Sequence, residues 1–204
     1  KPSENPFMMK RILFLSALLA GSALQPIHAA LVLSVDPSSQ TADVGDQVRV
    51  DLLLSGLESF TPTEILAAYD ITFAYDASIL SYDSGTYYDL AAVVDPPGGL
   101  SPSPVFGSGT IRWDSSSFAS DAALQAAQGD SLTLATLAFT VSSFGTAQLN
   151  ASYDDLTGLN FSALNPSVED GVVRVNGVPV PATALLLGLG VVGMVAARRS
   201  ARAR

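Results

Sequence analysis

The sequence predicts an all-β fold, an antiparallel β-sandwich or jelly roll. Three observations predict it. Several segments alternate apolar and polar side chains with a period of two, as strands with one buried face do. Turn clusters rich in Pro, Gly, Asp and Ser separate these segments. Between Leu31 and Asn176 only one segment carries helix start and stop signals. Together they give seven to nine short strands and almost no helix.

Leu31 to Asp36 is a short apolar run closed by the turn cluster Asp36-Pro37-Ser38-Ser39. Val44-Gly45-Asp46 turns again. The clearest strand follows: Val48, Val50, Leu52 and Leu54 alternate with Gln47, Arg49, Asp51 and Ser55, and only Leu53 breaks the pattern. Gly56 ends it, and Thr61-Pro62-Thr63 lies in a loop. Tyr69, Ile71, Phe73 and Tyr75 alternate with Asp70, Thr72 and Ala74 in a second half-buried strand. Asp76-Ala77-Ser78 turns, and Ile79 to Tyr82 resumes. Asp83 to Gly109 reads as a long loop, with Pro96-Pro97-Gly98-Gly99 and Ser101-Pro102-Ser103-Pro104, either a functional excursion or partly ordered by Leu90 to Val94. Thr110 to Asp114 is a strand. Ser120 to Gln128 is the helical segment, capped by Ser120 or Asp121 and stopped by Gly129. Leu132 to Val141 is a long apolar strand with bulk on both faces, hence central. Phe144-Gly145-Thr146 turns into Ala147, Leu149, Ala151 and Tyr153, again alternating. Asp154 to Ser167 is a polar excursion, and Gly171 to Val175 the last strand. No repeat of fixed period is visible.

The two ends of the 204 residues read differently from this body. Met8 or Met9 reads as the initiator, which leaves residues 1–7 as an upstream extension. Residues 8–30 read as a signal peptide: Lys10 and Arg11 form a basic start, Ile12 to Leu24 an apolar run, and Ile27-His28-Ala29 a cleavage site with Ala29 or Ala30 removed last. That apolar run is too short to stand across a bilayer. At the other end, residues 177–204 fall into three parts. Val178-Pro179-Val180-Pro181-Ala182 holds the chain extended. Ala182 to Ala197 is uncharged, with Thr183 its one polar side chain, and as a helix spans about 24 Å, a little under a hydrocarbon core of about 30 Å. Arg198, Arg199, Arg202 and Arg204 follow and are expected to stay cytoplasmic, which puts the body across the membrane.

What remains, residues 31–176, is one domain's worth of chain. It carries eighteen carboxylates against Arg49, Arg112 and Arg174, a net charge of -15. Such a surface repels phosphate backbones, so no nucleic acid is expected as partner. The chain has no Cys, and its one His (His28) and both Lys (Lys1 and Lys10) precede the body. A Ser-His-Asp triad, a Cys nucleophile, a Schiff-base lysine and the usual zinc sets are excluded there. Carboxylate-based glycan processing is the enzymatic alternative that remains, but no spacing singles out a pair, so no enzyme is expected. No cofactor is expected either. Calcium is the one metal the residues leave open, with Asp154, Asp155 and Asn160, or Asp43 with Asp46, as oxygen ligands, although no Asp-x-Asp-x-Asp-Gly loop exists. Trp113, Tyr87 and Tyr88 are candidates for a sugar-stacking platform, against the alternative that a lone Trp on an alternating strand belongs to the core. Asn150-Ala151-Ser152 and Asn160-Phe161-Ser162 match the glycosylation acceptor pattern.

Two resemblances add to this reading. Leu33-Ser34-Val35-Asp36-Pro37 followed by Val44 to Val50 resembles the opening of cohesin-like domains. Asp70 to Asp76 with Ile79-Leu80 is similar to their next strand and turn, Leu134 to Val141 with Gly145-Thr146-Ala147 to a later strand pair, and Asp170 to Val175 to the closing strand. The resemblance implies a jelly-roll sandwich of about nine strands over residues 31–176, one that binds a dockerin-like protein or, in related folds, carbohydrate. Asp83 to Ser108 departs from the pattern. The tail resembles the PEP-CTERM sorting signals of bacteria in their Val-Pro-Leu-Pro-Ala variant, with Val180 in place of Leu, where the commoner form has Glu. That resemblance implies recognition by an exosortase-like membrane enzyme that removes the helix. The expected protein is therefore an exported adhesion or binding module of the cell surface or extracellular matrix, with a transient or retained single-pass anchor. A purely structural matrix protein is the other alternative.

Overall fold

The computed structural model describes residues 30–57, 65–93 and 98–177. The predicted leader apart from Ala30, and the predicted tail apart from Gly177, lie outside the described residues. The body is a β-sandwich of twelve strands. One sheet has the order β11 (Ser167–Glu169), β1 (Val32–Asp36), β3 (Gln47–Ser55), β9 (Ser131–Val141), β5 (Leu80–Tyr87). The other runs β2 (Ser39–Asp43), β12 (Gly171–Asn176), β10 (Gly145–Thr157), β4 (Ala68–Tyr75), β8 (Thr110–Ser117), β6 (Gly99–Leu100), with β7 (Val105–Gly107) also on β8. Pairing is antiparallel except at β1–β11 and β2–β12.

The apolar side chains of both inner faces meet in one core. Val48, Val50, Leu52 and Leu54 from β3 face Ile71 and Phe73 from β4, Ile111 and Trp113 from β8, and Leu149 from β10. The rings of Phe73 and Phe139 stack across the sheets at 6.1 Å, and Tyr87 lies 5.1 Å from Trp113. Trp113 is the largest fully buried side chain.

Several readings from the sequence need correction. Asp83 to Gly109 is not one loop: β5 runs to Tyr87, a 3-10 turn at Leu90–Ala92 seats Leu90 in the core, and β6 and β7 edge the other sheet. Ser39, read as the end of a turn, starts instead a strand over Ser39–Asp43, a stretch that the sequence otherwise leaves unassigned, which pairs beside β12 in the other sheet. β10 does not end at Tyr153 but continues to Thr157 and buries Leu156. β9 is flanked on both sides, yet its bulk does not lie on two faces. Leu52 pairs with Ala135 and Leu53 with Thr133, so Leu134 is an extra residue, and the bulge turns Leu134 and Ala135 to the same inner side. That bulge also accounts for Leu53, whose partner Thr133 faces out.

Helix α1 (Asp121–Ala127) starts where Ser120 accepts a hydrogen bond from the Ala123 amide, as its side chain predicts. Gln128 then turns inward. Its amide accepts from Leu66 N at 2.9 Å and donates to Leu66 O at 2.6 Å, so one side chain stands in for a strand partner. Registers place the chain's landmarks at opposite poles. Val32 lies opposite Ser55 and Ser55 opposite Ser131, beside α1. Asn176 lies opposite Asp43 at the other end.

Replacing Trp113 by Ala is expected to cost about 3–5 kcal/mol, because the surrounding sheets cannot collapse into the space. Urea unfolding checks this as a lower midpoint with an unchanged slope.

Candidate functional site

β10, β4 and β8 lie side by side in the middle of the seven-stranded sheet. Their inward residues are apolar, so their outward residues, Asp70 and Thr72 on β4, Arg112 and Asp114 on β8, Asn150 and Ser152 on β10, form a polar face. Arg112 sits at its centre. Its Nε donates to Asp70 Oδ1 at 2.9 Å and its Nη2 to Asp70 Oδ2 at 2.5 Å, a bidentate clamp. The same Nη2 is 3.2 Å from Asp154 Oδ2. The hydrogen bonds to Asp70, its charge, and the charges of Asp154 and Asp114 hold the guanidinium above its ordinary value. The cation is therefore permanent and fixed in direction.

Asp154 approaches Arg112 from a bulge in β10. Tyr153 pairs with Ile71 and Asp155 with Asp70, so Asp154 is the extra residue. Asp70 also faces Asp114 across β8. Arg112 is thus the cation that relieves three neighbouring carboxylates, and the patch stays acidic. Val105 on β7, paired with Arg112, adds an exposed aliphatic surface beside it.

The structure disperses the residues that the sequence offered as sites. Trp113 is fully buried, the core role, so neither of its faces is offered to a sugar. Tyr87 packs on Trp113 and its hydroxyl lies 3.0 Å from that of Tyr82, while burial pushes its pKa up. Tyr88 packs on the core, donates its amide to Leu134 O, and its carbonyl accepts from the Tyr69 hydroxyl. Of the candidate calcium ligands, Asp154 faces Arg112, Asp155 accepts from Thr157 Oγ1 at 2.8 Å, and Asn160 is exposed in a 3-10 turn at Leu159–Phe161. Asp46 caps the Asp43 amide at 2.9 Å. Among the described residues no group of three or more His, Cys, Asp or Glu is placed to hold a metal ion. Ile27, Ala29, the Val178–Ala182 motif and Arg198, Arg199, Arg202 and Arg204 lie outside the described residues. Sequence reasoning missed the Arg112 clamp, because the partners come from two other strands, 42 residues upstream and across the bulge.

No family model matches the chain, and no curated protein does. Solved structures do. The sixth cohesin of scaffoldin B from Acetivibrio cellulolyticus, solved with a mutant Cel5 dockerin, is 19% identical over 72% of this chain and 100% of that one, with a TM-score of 0.54. The fold is cohesin-like. A type I cohesin from Clostridium thermocellum, in the Coh-OlpA–Doc918 complex, gives 16% identity, 72% and 100% coverage and a TM-score of 0.56. A non-cellulosomal cohesin from the archaeon Archaeoglobus fulgidus gives 10%, 73% and 93%, and 0.53. The cohesin-like sandwich corresponds to the span whose motifs carried the resemblance, while its tally of strands exceeds the nine expected because short edge strands add to the main ones.

Burial raises the Tyr69 and Tyr87 phenols above their ordinary value of 10.0. A raised phenol contributes stability that is complete below the unfolded value and is lost as pH climbs through the folded one. Phenolate absorbance is therefore expected to lag that of free tyrosine above about pH 10, then to rise together with loss of near-ultraviolet dichroism. Full phenolate absorbance with the dichroism intact would contradict it.

Proposed function

We propose that the body is a non-enzymatic binding module that receives a protein partner, dockerin-like in kind, on the outward face of its seven-stranded sheet. The observation that carries this reading is the Arg112 clamp: a fixed cation on a flat, acidic face with an aliphatic neighbour. A guanidinium already held in place loses little freedom on binding, and Arg is a favoured anchor of protein interfaces. The fold supports it, since cohesins of the same architecture were solved with dockerins bound. An enzymatic reading finds no support in burial. Ser115 and Gln128 are the buried polar residues among those described, so every described carboxylate meets water, and none has the dry pocket that keeps a general acid protonated.

The module is exported and sorted by its tail. The leader, the Val178–Ala182 motif, the apolar segment and the arginine cluster together support passage across the inner membrane, exosortase-type processing and residence at the cell surface or in the extracellular matrix. The acidic body suits such a solvent-exposed post.

Two outcomes are expected. Arg112→Gln should weaken binding to a panel of dockerin modules by about tenfold or more, measured by titration calorimetry, with the fold checked by its dichroism spectrum. Equal affinity for the variant sinks this face as the site. Mass spectrometry of the surface-borne protein should find a form shortened by roughly the tail; Arg204 intact would make the tail a plain anchor.

A further inference from the structure

The pole that carries α1 holds a groove of about 570 Å³. Ala67, Leu124 and Leu159 floor it, and Asp121 and Asp155 stand on its wall. Phe118 and Phe161 line it as well, with 81% and 94% of their surface in water. No Lys, Arg or His lines it. Two phenylalanines so exposed gain nothing from folding, and their exposure is imposed. Asn160 and Phe161 both hold left-handed backbone, φ 52° and 58°, a state that bulky residues take only where the surroundings enforce it. The enforcing bonds are Gly158 N to Ser162 O at 2.7 Å and Leu164 N to Leu156 O at 2.7 Å. The loop is thus pinned with its ring outward.

We propose that this groove is a second docking site, for a peptide segment of a protein partner that presents a lysine or arginine beside an aliphatic residue. Charge complementarity decides the occupant. Carboxylates accept hydrogen bonds and cannot donate, whereas an ammonium or guanidinium donates and cannot accept. The basic side chain lays its methylene stem along a Phe ring, brings its charge to the ring face, and ends on Asp121 or Asp155. The neighbouring aliphatic residue fills the floor over Leu124 and Leu159. A phosphorylated, sulfated or uronic ligand meets Asp121 and Asp155 with no cation in the lining and is repelled. A neutral sugar could bond the Ser116, Ser117 and Asn160 side chains but leaves the charge of both carboxylates unanswered. The groove lies at the opposite pole from Asn176, at the ends of the three strands that carry the Arg112 clamp; Asp70, Arg112 and Asp154 do not line it, and the site stands whether or not the clamp binds a partner.

The test uses the full chain and three fluorescent probes: acetyl-Gly-Leu-Lys-Leu-Arg-Gly amide, the same peptide with Glu for Lys and Arg, and a neutral β-glucan tetrasaccharide. The basic peptide should bind, lose about tenfold affinity in Phe161→Ser and in Asp121→Asn/Asp155→Asn, and weaken as salt rises to about 0.5 M. Asn176→Ala, at the opposite pole, should leave it unchanged. Phe161 makes no core contact, so its variant keeps the wild-type dichroism spectrum, which is recorded alongside. Binding of the acidic peptide as tightly as the basic one, binding of the sugar in preference to both peptides, full affinity in the Phe161 variant, or no binding of the basic peptide would each overturn the proposal.

Discussion

The extra residue at Asp154 is the constraint on which the groove and the packing beneath it depend. A strand shows alternate faces, so a chain that runs inward at Ala147, Leu149 and Ala151 would bury residues 155 and 157 if it continued evenly. The bulge resets this parity. Asp154 stays outward beside Arg112, Asp155 turns out to the α1 groove, and Leu156 enters the core. One irregularity thus serves the groove and the packing between the sheets. It also sets Asp155 opposite Asp70, a like-charge pair that a plain strand would disfavour and that the nearby guanidinium relieves.

The other two bulges answer the same parity problem. Leu134 lets β9 stay apolar toward the core along its whole length despite two consecutive buried residues. Asp83, the extra residue of β5, accepts from Thr140 Oγ1 at 2.7 Å and Gln47 Nε2 at 3.3 Å on the outside of the five-stranded sheet. That face spends its polar groups on one another: Thr136 also bonds Asp51. The seven-stranded sheet instead concentrates charge around one arginine and leaves its edge aliphatic. That contrast is why the seven-stranded face is the one proposed to receive a partner.

Much of this was legible in the residues. Alternation located β3, β4 and the first part of β10 because each has one face in water, and Ser120 announced the helix by its capping chemistry. The cohesin motifs pointed to the fold that the solved structures share. Edge strands were not legible. β2 buries only Ala42, and β6 and β7 are two and three residues long, so they exist through pairing with distant strands and leave no period of their own. Bulges were hidden for a related reason: Leu53 and Leu134 look like errors in a pattern until the partner strand is known. The sites suffered most. Trp113 and Tyr87 attracted a ligand reading by ring chemistry, whereas burial gives them to the core. The exposed rings, Phe118 and Phe161, stand in segments without periodicity, where sequence offers no way to tell inside from outside.

The register of β10 against β4 tests the account most directly. Cross-strand Hα–Hα contacts from nuclear magnetic resonance report it residue by residue. The structure requires Tyr153 opposite Ile71, Asp155 opposite Asp70, and Asp154 with no partner across the pair. An unbroken ladder, with Asp154 opposite Asp70 and Asp155 opposite Tyr69, would turn Asp155 inward and away from the groove and Leu156 out of the core, and would contradict the account.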